Sequence, residues 1–253
     1  MIAVLVAAAV AHAMAVDRLR RREIAWPVTR SLAWYAGLAV AAAAGLGHHH
    51  DFLAHMSAHL LLGMAAPILL TLARPVTLLV RVLPAPRARR VTRILRTLPV
   101  RLLTHPVTAA VLDAGGLWLL YTTDLYTSVP AIVMELHLLL AGWLFTAAII
   151  GRDPAPHRPG PRTRGLVLLA FVASHGILAK YLYGHPPAGV PVADAQAGAQ
   201  FMYYGGDLLH LIVIALFLRV FLSPAGENDR HAARHSLADR PRQRGHVRGR
   251  LSG

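Results

Sequence analysis

The sequence predicts an all-α polytopic membrane protein, a bundle of seven transmembrane helices with the N-terminus outside and the C-terminus in the cytoplasm. Three observations carry that expectation. Of the 253 residues, 55% are hydrophobic and only 15% are charged, against about 25% charged in a soluble domain. Seven apolar stretches approach the roughly 20 residues needed to cross a bilayer. Finally, every one of the 26 Lys and Arg residues except Lys180 falls in alternate inter-span segments or at the C-terminal end. Basic residues mark cytoplasmic loops, so this partition sets both the span count and the orientation.

The spans run approximately Met1–Val16, Ser31–Gly47, Ala54–Ala73, Val107–Thr122, Pro130–Gly151, Gly165–Tyr183 and Tyr203–Leu222. In hydrocarbon a backbone must satisfy its own polar groups, and no period-2 alternation suggests a barrel, so all seven read as helices. The first is short, and Ala11-His12-Ala13 resembles a signal-peptidase site. Its basic cluster, Arg18 to Arg22, follows the apolar run instead of preceding it, which favours a retained span. Between the third and fourth spans, Pro75–Leu83 mixes apolar residues with Arg81 and reads as a short interfacial helix on the cytoplasmic surface. Residues 1–222 form the membrane domain. Residues 223–253, rich in Arg, His, Gly and Pro, hold too little apolar surface to fold alone and read as a disordered basic cytoplasmic tail.

The formal charge of +14 is thereby assigned to topology and to anionic lipid headgroups, and no nucleic-acid partner is expected. There is no cysteine, which excludes disulfides, thiolate metal sites and cysteine nucleophiles. No P-loop, H-E-x-x-H, G-x-S-x-G or G-x-G-x-x-G occurs, so no enzyme is expected.

Ionisable groups inside spans are costly and face the bundle interior or water. They are few here: His55 and His59, Asp113, Glu135 and His137, His175 and Lys180, Asp207 and His210. Counting from the outer end at about 1.5 Å per residue, His59 lies about 7–8 Å deep, His137 and His210 about 10 Å, and His175 about 12 Å. Four helices thus place an imidazole in one outer layer. His55 and His59, spaced i,i+4, share a helix face, as do Asp207 and His210 at i,i+3. Imidazole ligates copper, zinc, iron or nickel, and adjacent thioethers favour Cu(I); Met56, Met64, Met134 and Met202 lie near. The candidate metal ligands are His55, His59, His137, His175 and His210, with Glu135 and Asp207 orienting imidazoles through the second ring nitrogen. Against this stands the ordinary role of a membrane histidine, hydrogen bonding between helices. Asp113 is assigned that role, Lys180 is expected to snorkel outward, and the His48-His49-His50 turn reads as solvated, with ligation the alternative.

The run His55-Met56-Ser57-Ala58-His59-Leu60-Leu61-Leu62-Gly63-Met64-Ala65-Ala66-Pro67, followed by Arg74-Pro75-Val76-Thr77, resembles the signature of the CtaG family of multi-span cytochrome c oxidase assembly proteins. His137–Phe145, Gly151-Arg152-Asp153-Pro154, Ala173-Ser174-His175-Gly176 and Tyr203-Tyr204-Gly205-Gly206-Asp207 are similar to further motifs of that family. The resemblance covers roughly residues 48–222. It implies a bacterial plasma-membrane protein that helps mature a haem–copper oxidase at its copper-loading step, with an oxidase subunit as partner. Carried over by position, the implied polar residues are His55, His59, His137, His175 and Asp207. The sequence departs from the family at two places. Glu135 stands where members often have a second histidine, and Leu119-Leu120-Tyr121-Thr122-Thr123 lacks the histidine often found near the end of the fourth span.

The expected function is transient holding of copper in the outer half of the bundle and its transfer to the oxidase. The alternatives are a metal-free assembly scaffold, a copper or proton transporter, and a haem-binding membrane protein.

Overall fold

A computed structural model describes residues 1–46, 51–123 and 125–222. The expected His48–His50 turn and the 223–253 tail lie outside the described residues. Contacts divide the chain into a unit of Met1–Phe217 and a second of Leu218–Gly253. Among the described residues there are only helices: α1 (Ile2–Arg20), α2 (Val28–Leu46), α3 (Phe52–Leu60), a π-helical turn π1 (Leu61–Ala65), α4 (Ala66–Leu72), α5 (Pro75–Val82), α6 (Ala85–Ile94), α7 (Leu98–Leu103), α8 (Pro106–Ala110), a second π-helical turn π2 (Val111–Gly115), α9 (Gly116–Thr122), α10 (Leu125–Ser128), α11 (Ala131–Ile150), α12 (Pro161–Gly184) and α13 (Val192–Leu222).

Among the described residues, five segments are long and apolar enough to cross a membrane: Ile2–Arg20, Phe52–Val82, Ala131–Ile150, Pro161–Gly184 and Val192–Phe221. The other two expected spans are helical but fall short of that mark. α2 opens with Thr29, Arg30 and Ser31, which dilute its apolar run. The α8–π2–α9 helix ends at Thr122, about a turn short of a full crossing. α13 begins at Val192, well before the expected Tyr203, because Asp194, Gln196 and Gln200 lower its hydropathy without interrupting the helix.

The helix built from α3, π1 and α4 is the axis of the fold. In its most apolar stretch 72% is buried, against 44% or less in the other four candidate spans. Its start is fixed twice. Asp51 caps it through the Ala54 amide at 2.6 Å, and Asp194, from the first turn of α13, accepts the Phe52 amide at 2.7 Å. Pro67 cannot donate to the preceding turn, and the chain answers with π1 immediately before it. α11 lies against π1 and α4 at a glycine crossing, where a Cβ on Gly142 would stand 2.0 Å from the Gly63 carbonyl oxygen. Small residues at such crossings let membrane helices approach until their backbones touch.

The expected interfacial helix is α5, and two further short helices, α6 and α7, follow it where none was anticipated. α5 packs on α1 through Leu19, Leu78 and Val82. Asp153, from the loop after α11, caps α5 by accepting the Thr77 amide at 2.8 Å, the Val76 amide at 3.2 Å and the Thr77 hydroxyl at 2.5 Å. Arg158 braces that loop by donating to the Asp153 and Gly151 carbonyls. Asp153→Ala is expected to cost about 0.5–2 kcal/mol, the usual value of an N-cap. Thermal unfolding in detergent reads this, and an unchanged midpoint would contradict the capping role.

A buried imidazole cluster as the candidate functional site

Three of the histidines meet in the interior. His59 on α3, His175 on α12 and His210 on α13 are 2%, 3% and 2% exposed. The His59 and His175 rings lie nearly parallel with centroids 5.9 Å apart, and His175 and His210 meet edge to face at 4.9 Å. Phe171 closes the inner side, 6.5 Å from the His175 ring and 5.8 Å from that of His210. Room for His175 is made on the facing helix by Gly206, where a Cβ would fall 2.5 Å from the imidazole Cε1. Gly206→Ala should therefore displace this ring while leaving the helix intact. The expected result is a folded protein whose affinity for a ligand of the cluster falls about tenfold or more. An unchanged affinity would show that the His175 position is not used.

The cluster is not satisfied by hydrogen bonds among the described residues. Both ring nitrogens of His59, both of His210 and Nε2 of His175 are buried without a hydrogen-bond partner. Leaving a buried polar group unpaired costs about 1–3 kcal/mol, so five such atoms within one cluster mark it as the candidate binding site. With metal–nitrogen bonds of about 2.0–2.1 Å, two imidazoles on one ion have centroids roughly 5–6 Å apart. The two measured separations match that spacing. Among the described residues no three His, Asp or Glu side chains are already arranged around a common metal position.

His55 sits one helical turn toward the start of α3 and is engaged differently. Its Nε2 is hydrogen-bonded to the Tyr121 hydroxyl at 2.9 Å, and Phe52 and Tyr126 pack on its ring. The Tyr121 hydroxyl also reaches Met56 Sδ at 3.9 Å, and its ring stands edge-on to His59 at 6.4 Å. Tyr121 thus links His55 to the cluster.

The remaining expected site residues lie elsewhere. His137 is exposed on α11, with its ring over Gly116 of α9, where a Cβ would meet Nε2 at 2.2 Å. It makes no ring contact with another histidine among the described residues. Glu135 is half-buried at the α2 side, its Oε2 3.6 Å from a Cβ placed on Gly45. Asp207 is half-buried one turn before His210.

Tyr121, Asp113 and His12 carry no site role in the sequence expectation, and the interhelical hydrogen bond expected of Asp113 is not formed among the described residues. Asp113 is 4% exposed within π2. His12 is buried on α1, hydrogen-bonded to the Ser31 hydroxyl at 3.1 Å and stacked on Trp34. Its signal in the sequence is an imidazole in the middle of an apolar run, where it also forms part of the cleavage-like Ala11-His12-Ala13. Two surface clefts of about 410 and 490 Å³, the first beside Arg101 and Arg158 and the second between α8–α9 and α12, do not reach the imidazoles.

An all-helical protein with several apolar helices long enough to span a membrane, and a polar knot buried among three of them, is the class that fold and site define. The chain belongs to the cytochrome c oxidase caa3 assembly factor family (Caa3_CtaG), whose profile matches residues 10–223. It is similar to uncharacterized proteins of Mycobacterium bovis and Mycobacterium tuberculosis, each 37% identical over 189 residues, which cover 67% of this chain and 29% of the relative. An uncharacterized protein of Mycobacterium leprae is 29% identical over 205 residues, 74% of this chain and 29% of the relative. The matched region thus spans less than a third of the length of these relatives. No solved structure matches the chain.

Proposed function

We propose that this protein is an assembly factor for a haem–copper cytochrome c oxidase in the bacterial plasma membrane, and that it carries copper as cargo on His59, His175 and His210. The observation that carries this reading is the set of five unpartnered ring nitrogens buried where three helices meet. Family membership supplies the oxidase; the imidazoles supply the reason for copper, since neutral imidazole suits it and the chain offers no thiolate.

The reading takes seven helices as spans, adding α2 and the α8–π2–α9 helix to the five apolar ones. The basic-residue partition supports this, with the N-terminus outside and the C-terminus cytoplasmic. The cluster then lies in the outer half of the membrane, on the side from which an extracytoplasmic copper centre is supplied. His55, held by Tyr121 on the outer side of the cluster, guards access to it. His137 and Glu135 serve the α9–α11 and α2–α11 contacts. Asp207, on the helix face of His210, steadies that ring when an ion is held.

The test is X-ray absorption on the purified protein loaded with Cu(I). Imidazole nitrogens at about 2.0 Å are expected, lost in the His59→Ala/His175→Ala/His210→Ala variant. A wild type that retains no copper, or spectra without imidazole scattering, would overturn the proposal.

A further inference from the structure

Beside His210 of the imidazole cluster lies a small, partly open void of about 10 Å³, bounded by residues from both π-helical turns: Gly63 and Met64 of π1, Asp113 of π2, Thr146 of α11, Phe171 of α12 and His210 of α13, among others. A space of this size holds about one water or one ion. Both π turns face this void. Each widens its helix locally, and such turns are frequent at functional sites. The donors are 7% exposed at Met64, 4% at Asp113, 3% at Thr146 and 2% at His210. Both His210 ring nitrogens are unpartnered. Asp113 makes no hydrogen bond or ion pair among the described residues, although an ionisable group in hydrocarbon is costly unless it serves a partner or ligand. Met64 follows His59 by five residues, which sets the void about 7–8 Å further into the membrane.

We propose that this void is a second cuprous-ion site, formed by the Met64 thioether, the Asp113 carboxylate and the His210 imidazole, with Thr146 lending its hydroxyl oxygen. The inference rests on the reading of the upper cluster as a copper carrier and adds a deeper position that shares His210 with it. Thioether and imidazole together select Cu(I), and the carboxylate supplies the negative charge that a cation needs in a low-dielectric interior. His210 contacts His175 and lines the void; with both positions filled, its single lone-pair nitrogen ligates the deeper ion while His59 and His175 hold the upper one, and with one ion bound it can serve either position.

The test is a Cu(I) titration of the full chain in detergent against a chromophoric chelator, with folding of each variant monitored by gel filtration and circular dichroism. Wild type is expected to take two equivalents. Met64→Leu and Asp113→Asn are each expected to take one, and His59→Ala to keep the deeper one. X-ray absorption adds an independent readout. The chain has no cysteine and 6 methionines, so a sulfur shell at about 2.3 Å reports a thioether, and it should vanish in Met64→Leu. Two equivalents in wild type and also in both variants would overturn the deeper site. One equivalent throughout, with no sulfur shell, would overturn it too while leaving the upper cluster as the carrier. No binding in any protein would overturn both proposals.

Discussion

His175→Ala is expected to lower the Cu(I) affinity of the purified protein by about 100-fold or more. Removing even an outer-shell partner of a ligand commonly costs 10–100-fold, and His175 is the ring that touches both others, at 5.9 and 4.9 Å. Without it the cluster loses its middle member, and no side chain on α12 near that level replaces an imidazole. Competition with a Cu(I) chelator measures the loss. His137→Ala is the internal contrast. Its ring lies over Gly116 and outside the cluster, so its affinity should stay within about threefold of wild type. Equal losses in the two variants would mean that burial and convergence do not decide which imidazoles bind.

Gly142→Val is expected to abolish the folded protein. A Cβ at this position would stand 2.0 Å from the Gly63 carbonyl oxygen and 2.8 Å from its carbon. The obstacle is backbone, so no rotamer change relieves it. α11 must move off the axial helix, and with it go the contacts of Leu138, Phe145 and Ile149. Overpacking a core costs about 1–3 kcal/mol when side chains can adjust; here they cannot, and the cost exceeds that range. Monodisperse yield after detergent extraction is the measurement. Gly184→Val, where nothing lies within 4 Å of the added Cβ, should extract like wild type. A normal yield of Gly142→Val would show that the close crossing is not required.

Much of the fold is legible in composition and hydropathy, because a membrane span announces itself by length and by the absence of charge. The helices through His55, His137, His175 and His210 lie where the apolar runs place them. What apolarity conceals is direction. A helix apolar all round has no polar face to orient it, so depth along α11 was readable for His137 while its angle about the axis was not. His59, His175 and His210 converge in the interior, whereas the His137 side chain is exposed and lies over Gly116. The extension of α13 back to Val192 has no apolar signature because its first turns are small and polar, suited to packing on Phe52 and to capping α3. The two π turns left no sequence signal beyond Pro67 after one and Gly115-Gly116 at the end of the other. Asp113 was therefore visible as a residue but not as part of a pocket.

Copper delivery itself is tested most directly in cells lacking this protein, by the copper content of the purified oxidase. Reintroducing the wild-type chain should restore the metal to full occupancy. The His59→Ala/His175→Ala/His210→Ala chain, present in the membrane at equal abundance, should leave the oxidase copper-depleted. A fully metallated oxidase in the presence of that variant would contradict the account.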